Sequence, residues 1–301
     1  MLVFQSPAKI NLSLDILARR DDGYHELQSV IHCIGLFDTI SLDMTGSAGL
    51  SFRCSDANLG GDDNLCLRAA RAWFQAAKSL KGKRSYFPGV RITLDKKIPV
   101  GAGLGGGSGN AAATLLALNE YSDSPLETFQ LHEIATSLGA DVPLFLNGGC
   151  ALMEGIGERL STLPAQNGWV VLICPDQHAS TPAVYGKFDE LGAESSRSTP
   201  AMLQAIGAGD FHQVGAQLQN DLQIAAQSLG IDTHLPVALL KDHGALGGCL
   251  SGSGAASFGL FETSEKAQSA ESAIGSDVRL PPGYRVFSAP LIGFGCARAG
   301  S

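Results

Sequence analysis

The sequence has little positive charge. It contains 21 lysine and arginine residues against 29 aspartate and glutamate residues, so its formal net charge is -8 at pH 7. Proteins that bind nucleic acids or anionic membranes use clustered positive charge to displace counterions. We therefore expect no nucleic-acid partner, and any anion that this chain binds must be held by a local arrangement of residues.

Long apolar runs are also absent. The first residues, MLVFQSPAKINLSL, do not combine a basic stretch with an unbroken apolar one, as a secretory signal does. No other segment approaches the roughly 20 apolar residues that span a bilayer. The sequence therefore predicts a cytoplasmic protein with no membrane partner.

The seven cysteines include no pair separated by only two residues. They are odd in number and widely spaced, which argues against structural zinc and favours buried, reduced thiols. The rest of the composition, 45% hydrophobic and 17% charged, is typical of a globular enzyme. A chain of 301 residues can form one large domain or two of ordinary size.

Apolar patterning predicts an α+β fold in two parts. The first half contains five short segments that predict a mostly antiparallel sheet, namely LVFQS, INLSLDIL, QSVIHCI, TISLDM and GLSFRC. The second half alternates strands with helices, including helices around Met202 to Ile206 and over Phe211 to Ser228. We predict a domain boundary after residue 157, which gives domains over residues 1–157 and 158–301.

A dense glycine run precedes an alanine-rich helical segment. IPVGAGLGGGSGNAAATLLALN has six glycines among the nine residues 101–109, and Gly101, Gly103 and Gly106 form a G-x-G-x-x-G pattern. A dinucleotide-binding fold would place this pattern after its first strand, with an acid about 20 residues on. Here several strands come first and the candidate acid, Asp123, lies between two helices. A P-loop would need a lysine that this run lacks.

Two interpretations of the run remain. Glycines at the start of a helix leave backbone N–H groups open to a phosphate, where the helix dipole also favours negative charge. The Ser108 hydroxyl could then reach a phosphate or its Mg²⁺. Alternatively, the glycines only form a tight turn, although six of them exceed what a turn needs, since each adds to the entropy lost on folding.

Four other groups of residues could carry chemistry. Lys9 and Asn11 are two apart in a predicted strand, so their side chains share a face, where they could contact a substrate oxygen or lie in solvent. Asp141 precedes an apolar run, where it could act as a base or only cap a helix. The other two groups are the loop residues Tyr24 and His25, and the second glycine loop with Ser251, Gly252, Ser253 and Gly254. Two glycine loops with a carboxylate and a lysine are typical of phosphoryl transfer.

These motifs resemble the GHMP kinases along nearly the whole chain. The matching segments are PAKINLSLDI, RRDDGYHEL, DNLCLRAA, KKIPVGAGLGGGSGNAA, LGADVPLFL, GIGERL, NDL and LSGSGAASF. The resemblance implies a two-domain α+β GHMP kinase fold, with an amino-terminal ribosomal-protein-S5-domain-2-like nucleotide domain and a carboxy-terminal α+β sandwich domain. The active site is expected in the cleft between them.

The resemblance also implies an activity. The segment RRDDGYHEL is similar to the corresponding segment of certain GHMP kinases. These members use ATP and Mg²⁺ to phosphorylate the 2-hydroxyl of a cytidine diphosphate derivative of methylerythritol, in non-mevalonate isoprenoid biosynthesis. It implies Asp141 as the base and Lys9 as the cation that stabilises the attacking oxygen. The implied ATP-binding residues are Asn64, Lys96, Pro99, Val100, Gly101, Ala102, Gly103, Leu104, Gly105, Gly106, Gly107, Ser108 and Gly109, with Ser108 near the metal.

For the acceptor, the resemblance implies that Tyr24 and Tyr185 stack on the cytosine and that His25 hydrogen-bonds to its edge. Asn11 would orient the methylerythritol end. One residue departs from the family pattern, because Gly109 stands where a second serine often follows Ser108. Two alternatives stay open: another small-molecule GHMP kinase of the homoserine or mevalonate type, and a non-catalytic nucleotide-binding regulator. The protein is expected to be a monomer or a homodimer.

Overall fold

Two β-sheets and the helices that pack on them form the fold. The computed structural model describes residues 1–45, 49–81, 89–122 and 126–300. Asp123, the acid considered for a dinucleotide site, lies outside the described residues.

The described strands, in chain order, are β1 (Leu2–Arg19), β2 (His25–Thr45), β3 (Leu50–Cys54), β4 (Gly89–Asp95), β5 (Cys150–Gly155), β6 (Arg159–Leu163), β7 (Trp169–Cys174), β8 (Gln219–Asn220), β9 (Gly248–Leu250), β10 (Ser257–Phe261), β11 (Arg285–Pro290) and β12 (Ala297–Arg298). One sheet has the order β12-β1-β2-β4-β3, with β5 also paired to β2, β6 to β5, and β8 to β1. The other has the order β11-β7-β10-β9.

The described α-helices, in chain order, are α1 (Leu65–Lys81), α2 (Gly106–Tyr121), α3 (Thr128–Leu138), α4 (Val142–Asn147), α5 (Thr181–Leu191), α6 (Thr199–Ala208), α7 (Phe211–Ala216), α8 (Leu222–Ser228), α9 (His234–Asp242) and α10 (Ser264–Gly275). The predicted α+β class is confirmed. Within the described ranges, none of the helices combines the length and apolarity needed to cross a bilayer.

The first sheet is built on two long antiparallel strands. β1 has 18 residues and β2 has 21, and each replaces two of the short strands that we predicted. The prediction was wrong because polar residues such as Lys9 and Asp38 read as strand ends, whereas both lie buried inside the sheet. Three irregularities in the β1–β2 register bend this pair without ending it.

The predicted helix from Phe211 to Ser228 is also wrong. Two short helices, α7 and α8, replace it, with β8 between them in parallel pairing with β1. The break occurs at Asn220, whose side-chain amide donates to the carbonyls of Leu250 and Gly252 at 2.8 Å each. These long-range bonds hold the chain out of helical geometry, and helical periodicity alone does not reveal them.

The predicted domain boundary after residue 157 falls inside a hairpin. β5 and β6 pair from Cys150–Leu163 to Glu154–Arg159, so the first sheet continues to Leu163. The end of the chain also returns to this sheet, because β12 pairs with β1. The division into two domains stays a prediction, and the first sheet contains strands from both predicted parts.

Helix α2 packs closely on the first sheet. Its buried face is made largely of alanine, with Ala111, Ala112 and Ala113 fully buried. Small side chains let the helix axis approach β1 and α1 closely. This packing fixes the amino terminus of α2 beside Lys9 on β1, which positions the candidate site.

Candidate active site

A cleft of about 930 Å³ gathers nearly all the predicted site residues. Its walls include most of both glycine loops, with Lys9, Asn11, Tyr24, His25, Asn64, Lys96, Asp141 and Tyr185. Ser251 and Gly109 are buried but are not part of the lining. Most of the residues predicted from the sequence therefore line one cleft.

The first glycine loop opens directly onto the amino terminus of α2. Gly103 and Gly105 adopt φ angles of 77° and 68°, in the left-handed region that disfavours side chains. A Cβ on Gly103 would lie 2.0 Å from the Ser251 carbonyl oxygen, and one on Gly105 would lie 2.9 Å from Lys9 Cγ. Both positions thus require glycine, and the first turn of α2 carries no acidic residue that would oppose anion binding.

The second glycine loop is bonded to the first. The Ser251 hydroxyl donates to the Gly103 carbonyl at 3.0 Å, and the Ala256 N–H donates to the Ala102 carbonyl at 3.1 Å. The Ser251 hydroxyl, on the loop that we predicted could carry chemistry, is therefore engaged with the protein. On this loop, Gly252, Ser253 and Gly254 face the cleft.

Lys9 lies between the two loops. Its side chain is only 4% exposed, and its ammonium donates to Asn11 Oδ1 at 2.6 Å. The Asn11 amide donates in turn to the Ser29 hydroxyl at 2.8 Å. Burial lowers the pKa of Lys9, while the nearby charge of Asp141 acts in the opposite direction. The ammonium is thus held in place in an environment that weakens its hold on the proton.

Asp141 immediately precedes α4 and is half-buried. Its side chain accepts no capping hydrogen bond from this helix. Among the described residues, its carboxylate makes no hydrogen bond or salt bridge. Its charge nevertheless acts on Lys9, where it partly offsets the lowering of the lysine pKa by burial. The carboxylate therefore lines the cleft and is available to a ligand. It does not cap α4 through its side chain, which was the alternative interpretation.

Lys96 is held by an acid that sequence reasoning missed. Its ammonium forms a buried salt bridge with Asp38. Asp38 also accepts the backbone N–H groups of Lys97 at 2.7 Å and Ile98 at 2.9 Å. A Cβ on Gly106 would lie 3.1 Å from the Lys96 ammonium, so this cation lies at the first turn of α2. An acid inside the apolar run IGLFDTISL was the one available signal.

Asn64 and Ser108 line the cleft in different ways. Both polar atoms of Asn64 are used by the protein, because Oδ1 accepts from the Cys66 N–H at 2.9 Å and Nδ2 donates to the Leu59 carbonyl at 2.8 Å. Asn64 thus caps α1, and its expected contact with a nucleotide stays a prediction. Ser108 is half-buried in the first turn of α2.

The other end of the cleft carries rings. Tyr24 is 62% exposed, whereas His25 is buried. The His25 ring lies 5.0 Å from the Tyr185 ring between centroids, at an interplanar angle of 41°. Burial raises the pKa of the Tyr185 phenol, which therefore stays neutral. His25 Nε2 lies 2.7 Å from Asp189, a residue that sequence reasoning did not select.

Gly109 is close-packed against β1. A Cβ at this position would lie 2.5 Å from Ser6 Oγ and 3.1 Å from the Pro7 carbonyl oxygen. The space that a serine at residue 109 would need is therefore occupied by the hydroxyl of Ser6. The glycine that departs from the family pattern thus leaves room for the Ser6 side chain.

We expect Gly109→Ser to lower the free energy of unfolding by about 1 to 3 kcal/mol, the usual cost of overpacking. The added side chain collides with Ser6, so Ser6→Ala in the same chain should recover most of the loss. Denaturant unfolding of both single variants and the double variant measures this coupling. A Gly109→Ser protein as stable as the wild type would contradict the packing argument.

The pH dependence of kcat/KM should report the loss of the Lys9 proton. Because burial disfavours its charged form, the proton leaves at lower pH than from an exposed lysine. An activity that needs the ammonium is present below this lowered pKa and is lost as pH rises through it. We expect kcat/KM to fall with a midpoint below the usual 10.5. Lys97, which is exposed, supplies the control, since Lys97→Gln should leave the midpoint unchanged. A profile flat through pH 10.5 would refute the assignment of this midpoint to Lys9.

Two family models match this chain. Residues 64–149 match the GHMP kinases N terminal domain, and residues 202–279 match the GHMP kinases C terminal domain. The chain belongs to the GHMP kinases, a class of phosphotransferases.

More specific relatives narrow the class. The chain is 38% identical to a 4-diphosphocytidyl-2-C-methyl-D-erythritol kinase of Thermoanaerobacter pseudethanolicus, over 87% of this chain and 88% of the relative. It is 40% identical to one of Desulfitobacterium hafniense, over 87% of each chain. A crystal structure of 4-(cytidine 5'-diphospho)-2C-methyl-D-erythritol kinase superposes with a TM-score of 0.80 at 34% identity, over 97% of this chain and 100% of that one. Within the GHMP kinases, the chain belongs to the 4-diphosphocytidyl-2-C-methyl-D-erythritol kinase family.

Proposed function

We propose that this protein transfers the γ-phosphoryl group of ATP to the 2-hydroxyl of 4-diphosphocytidyl-2-C-methyl-D-erythritol. The observation that carries the proposal is the order of groups along one cleft. The amino terminus of α2 lies beside Lys9 at Gly105, Asp141 lies within electrostatic range of both Lys9 and Tyr185, and the Tyr185 ring lies 5.0 Å from the His25 ring. This order matches a triphosphate, a reacting hydroxyl and a nucleobase.

ATP binds with its phosphates at the amino terminus of α2. The N–H groups of the first glycine loop and the helix dipole both favour the phosphate charge. Lys96 adds a fixed positive charge next to Gly106, since Asp38 and its backbone bonds hold the lysine in place. Asn64, which lines the same cleft, borders this phosphate subsite.

The reacting groups are Asp141 and Lys9. Asp141 accepts the proton of the attacking hydroxyl, because its carboxylate is not consumed by another contact within the described chain. Lys9 neutralises charge that develops on the attacking and transferring oxygens. Asn11 holds the Lys9 ammonium by its 2.6 Å bond and orients the methylerythritol end.

The cytosine lies between Tyr24 and Tyr185, with His25 at its edge. Stacking on an aromatic ring contributes about 1 to 3 kcal/mol per base. Tyr24 is exposed in the free protein, so it is available to cover a ligand. This end of the cleft distinguishes the cytidine substrate from smaller alcohols that lack a base.

A divalent metal ion accompanies the ATP in this proposal. Within the described residues, no group of three His, Cys, Asp or Glu side chains could hold a metal by itself. Mg²⁺ in kinases is commonly bound by the substrate phosphates together with few protein ligands. We propose that Ser108, in the first turn of α2, would hold the ion, which would supply charge neutralisation at the phosphates. A cytoplasmic location and a monomeric or homodimeric state remain parts of the proposal.

An acceptor panel tests the function. ADP release is followed with the cytidine substrate, free methylerythritol phosphate, homoserine and mevalonate under the same conditions. We expect turnover on the cytidine substrate alone, since only that substrate uses the rings at the far end of the cleft. Preferred turnover of homoserine or mevalonate would assign a different GHMP kinase, and ATP binding without turnover of any acceptor would indicate a regulator.

A further inference from the structure

His25 and Asp189 form a contact that spans most of the chain. His25 begins β2 and Asp189 lies on α5, 164 residues later, yet Nε2 and Oδ1 are 2.7 Å apart. His25 is buried and Asp189 is half-buried, and both line the cleft. Arg19 Nε lies 3.5 Å from the other Asp189 oxygen, so the carboxylate has a cation as well as the imidazole for a neighbour.

This contact fixes the tautomer of a neutral His25. An ionised carboxylate has only acceptor oxygens, so the bonded Nε2 must carry the hydrogen. The other nitrogen, Nδ1, is then an acceptor. Within the described part of the chain, Nδ1 makes no hydrogen bond, and the ring lines the cleft 5.0 Å from Tyr185. The cleft therefore presents one fixed acceptor at its ring-bearing end.

An acceptor at this place distinguishes two pyrimidines. Cytosine carries an exocyclic amine, which donates, where uracil carries a carbonyl, which accepts. An acceptor nitrogen bonds to the amine and leaves the uracil carbonyl facing another acceptor. Buried groups left without a partner in this way account for strong discrimination between similar ligands.

We propose that Asp189 is a positioning residue that makes the site select cytosine over uracil by fixing the tautomer of His25. The inference rests on the proposed function, because it takes the cytidine end of the substrate to lie against His25. It adds a residue on α5 that acts on the substrate through the histidine.

The first test compares the cytidine substrate with its uridine analogue at pH 8, where an ordinary histidine is neutral. We expect the wild type to prefer cytidine by at least about tenfold in kcat/KM, mainly through KM. Asp189→Asn should bring this preference to within about threefold, since the amide can donate or accept and permits either tautomer. Turnover of the cytidine substrate at saturation should change little, because the phosphoryl group reacts at the other end of the cleft.

Two further variants complete the comparison. Glu190→Gln removes one negative charge from the next residue, whose carboxylate pairs with Lys187 and does not contact His25, and it should keep the full preference. Asp189→Glu retains a carboxylate and should keep part of it. An Asp189→Asn enzyme with the wild-type preference would overturn the inference, whereas a wild type that releases ADP with neither nucleotide would overturn the proposed function instead.

The tautomer can also be measured without any change at Asp189. Nitrogen NMR of the wild type, with the His25 signals assigned by their loss in His25→Gln, separates protonated from unprotonated ring nitrogens. We expect a protonated Nε2 and an unprotonated Nδ1 at pH 8. The opposite pattern would overturn the inference, even if the Asp189 variants failed to fold.

Discussion

Asp141→Asn is expected to lower kcat on the cytidine substrate by about a hundredfold to ten-thousandfold, the range that a general base contributes. The amide keeps the size of the side chain but cannot accept a proton from the hydroxyl. Stability should change little, because the Asp141 carboxylate caps no helix and bonds to none of the described residues. Rapid-quench turnover, ATP affinity and thermal unfolding measure the three quantities.

Asp63 provides the matched control for this variant. It is an exposed acid that lines the same cleft, so Asp63→Asn removes an equal charge at a different place. We expect Asp63→Asn to keep turnover within a few-fold of the wild type, as surface changes generally do. If Asp141→Asn turned over as fast as Asp63→Asn, the base would have to be another group.

Gly103→Ala should have the largest effect on folding and on nucleotide affinity. Its Cβ would lie 2.0 Å from the Ser251 carbonyl oxygen, and its φ of 77° is unfavourable for alanine. We expect a loss of about 2 to 4 kcal/mol in the free energy of unfolding, from left-handed strain together with backbone displacement. Because the two glycine loops must separate, the KM for ATP should also rise. Denaturant unfolding and ATP titration check both effects.

Gly107, in the first turn of α2, supplies a control for stability. A Cβ on Gly107 would meet only Leu65 Cδ1, at an ordinary 3.5 Å, and Gly107 lies inside α2 without a positive φ. Gly107→Ala should therefore leave stability unchanged or raise it by up to about 1 kcal/mol. Equal stability of Gly103→Ala and Gly107→Ala would show that the loops do not require bare backbone at residue 103.

Local sequence patterns predicted much of the lining of the candidate cleft. The spacing of Lys9 and Asn11 predicted a shared face, and their side chains are in direct contact at 2.6 Å. The glycine run predicted a helix mouth, and α2 begins at Gly106. Such features depend on neighbours in sequence, where strand and helix geometry determine the direction of each side chain.

Long-range contacts could not be predicted in this way. Asp38 pairs with Lys96 across 58 residues, and Asp189 meets His25 across 164. Each acid resembles an ordinary surface or strand-end residue until its partner is brought to it by the fold. The same limitation explains Asn220, whose bonds to the second glycine loop divide a predicted helix, and Gly109, whose close neighbour is Ser6 on another element.

Analysis of the products is the most direct test for transfer of a phosphoryl group to the cytidine substrate. The protein is incubated with ATP, Mg²⁺ and 4-diphosphocytidyl-2-C-methyl-D-erythritol, and ADP and the acceptor product are quantified by phosphorus NMR and mass spectrometry. We expect ADP and an acceptor that has gained one phosphate in equal amounts, with the new phosphate on the 2-hydroxyl. ADP formed at the same rate without the acceptor, or an acceptor recovered unchanged, would contradict it.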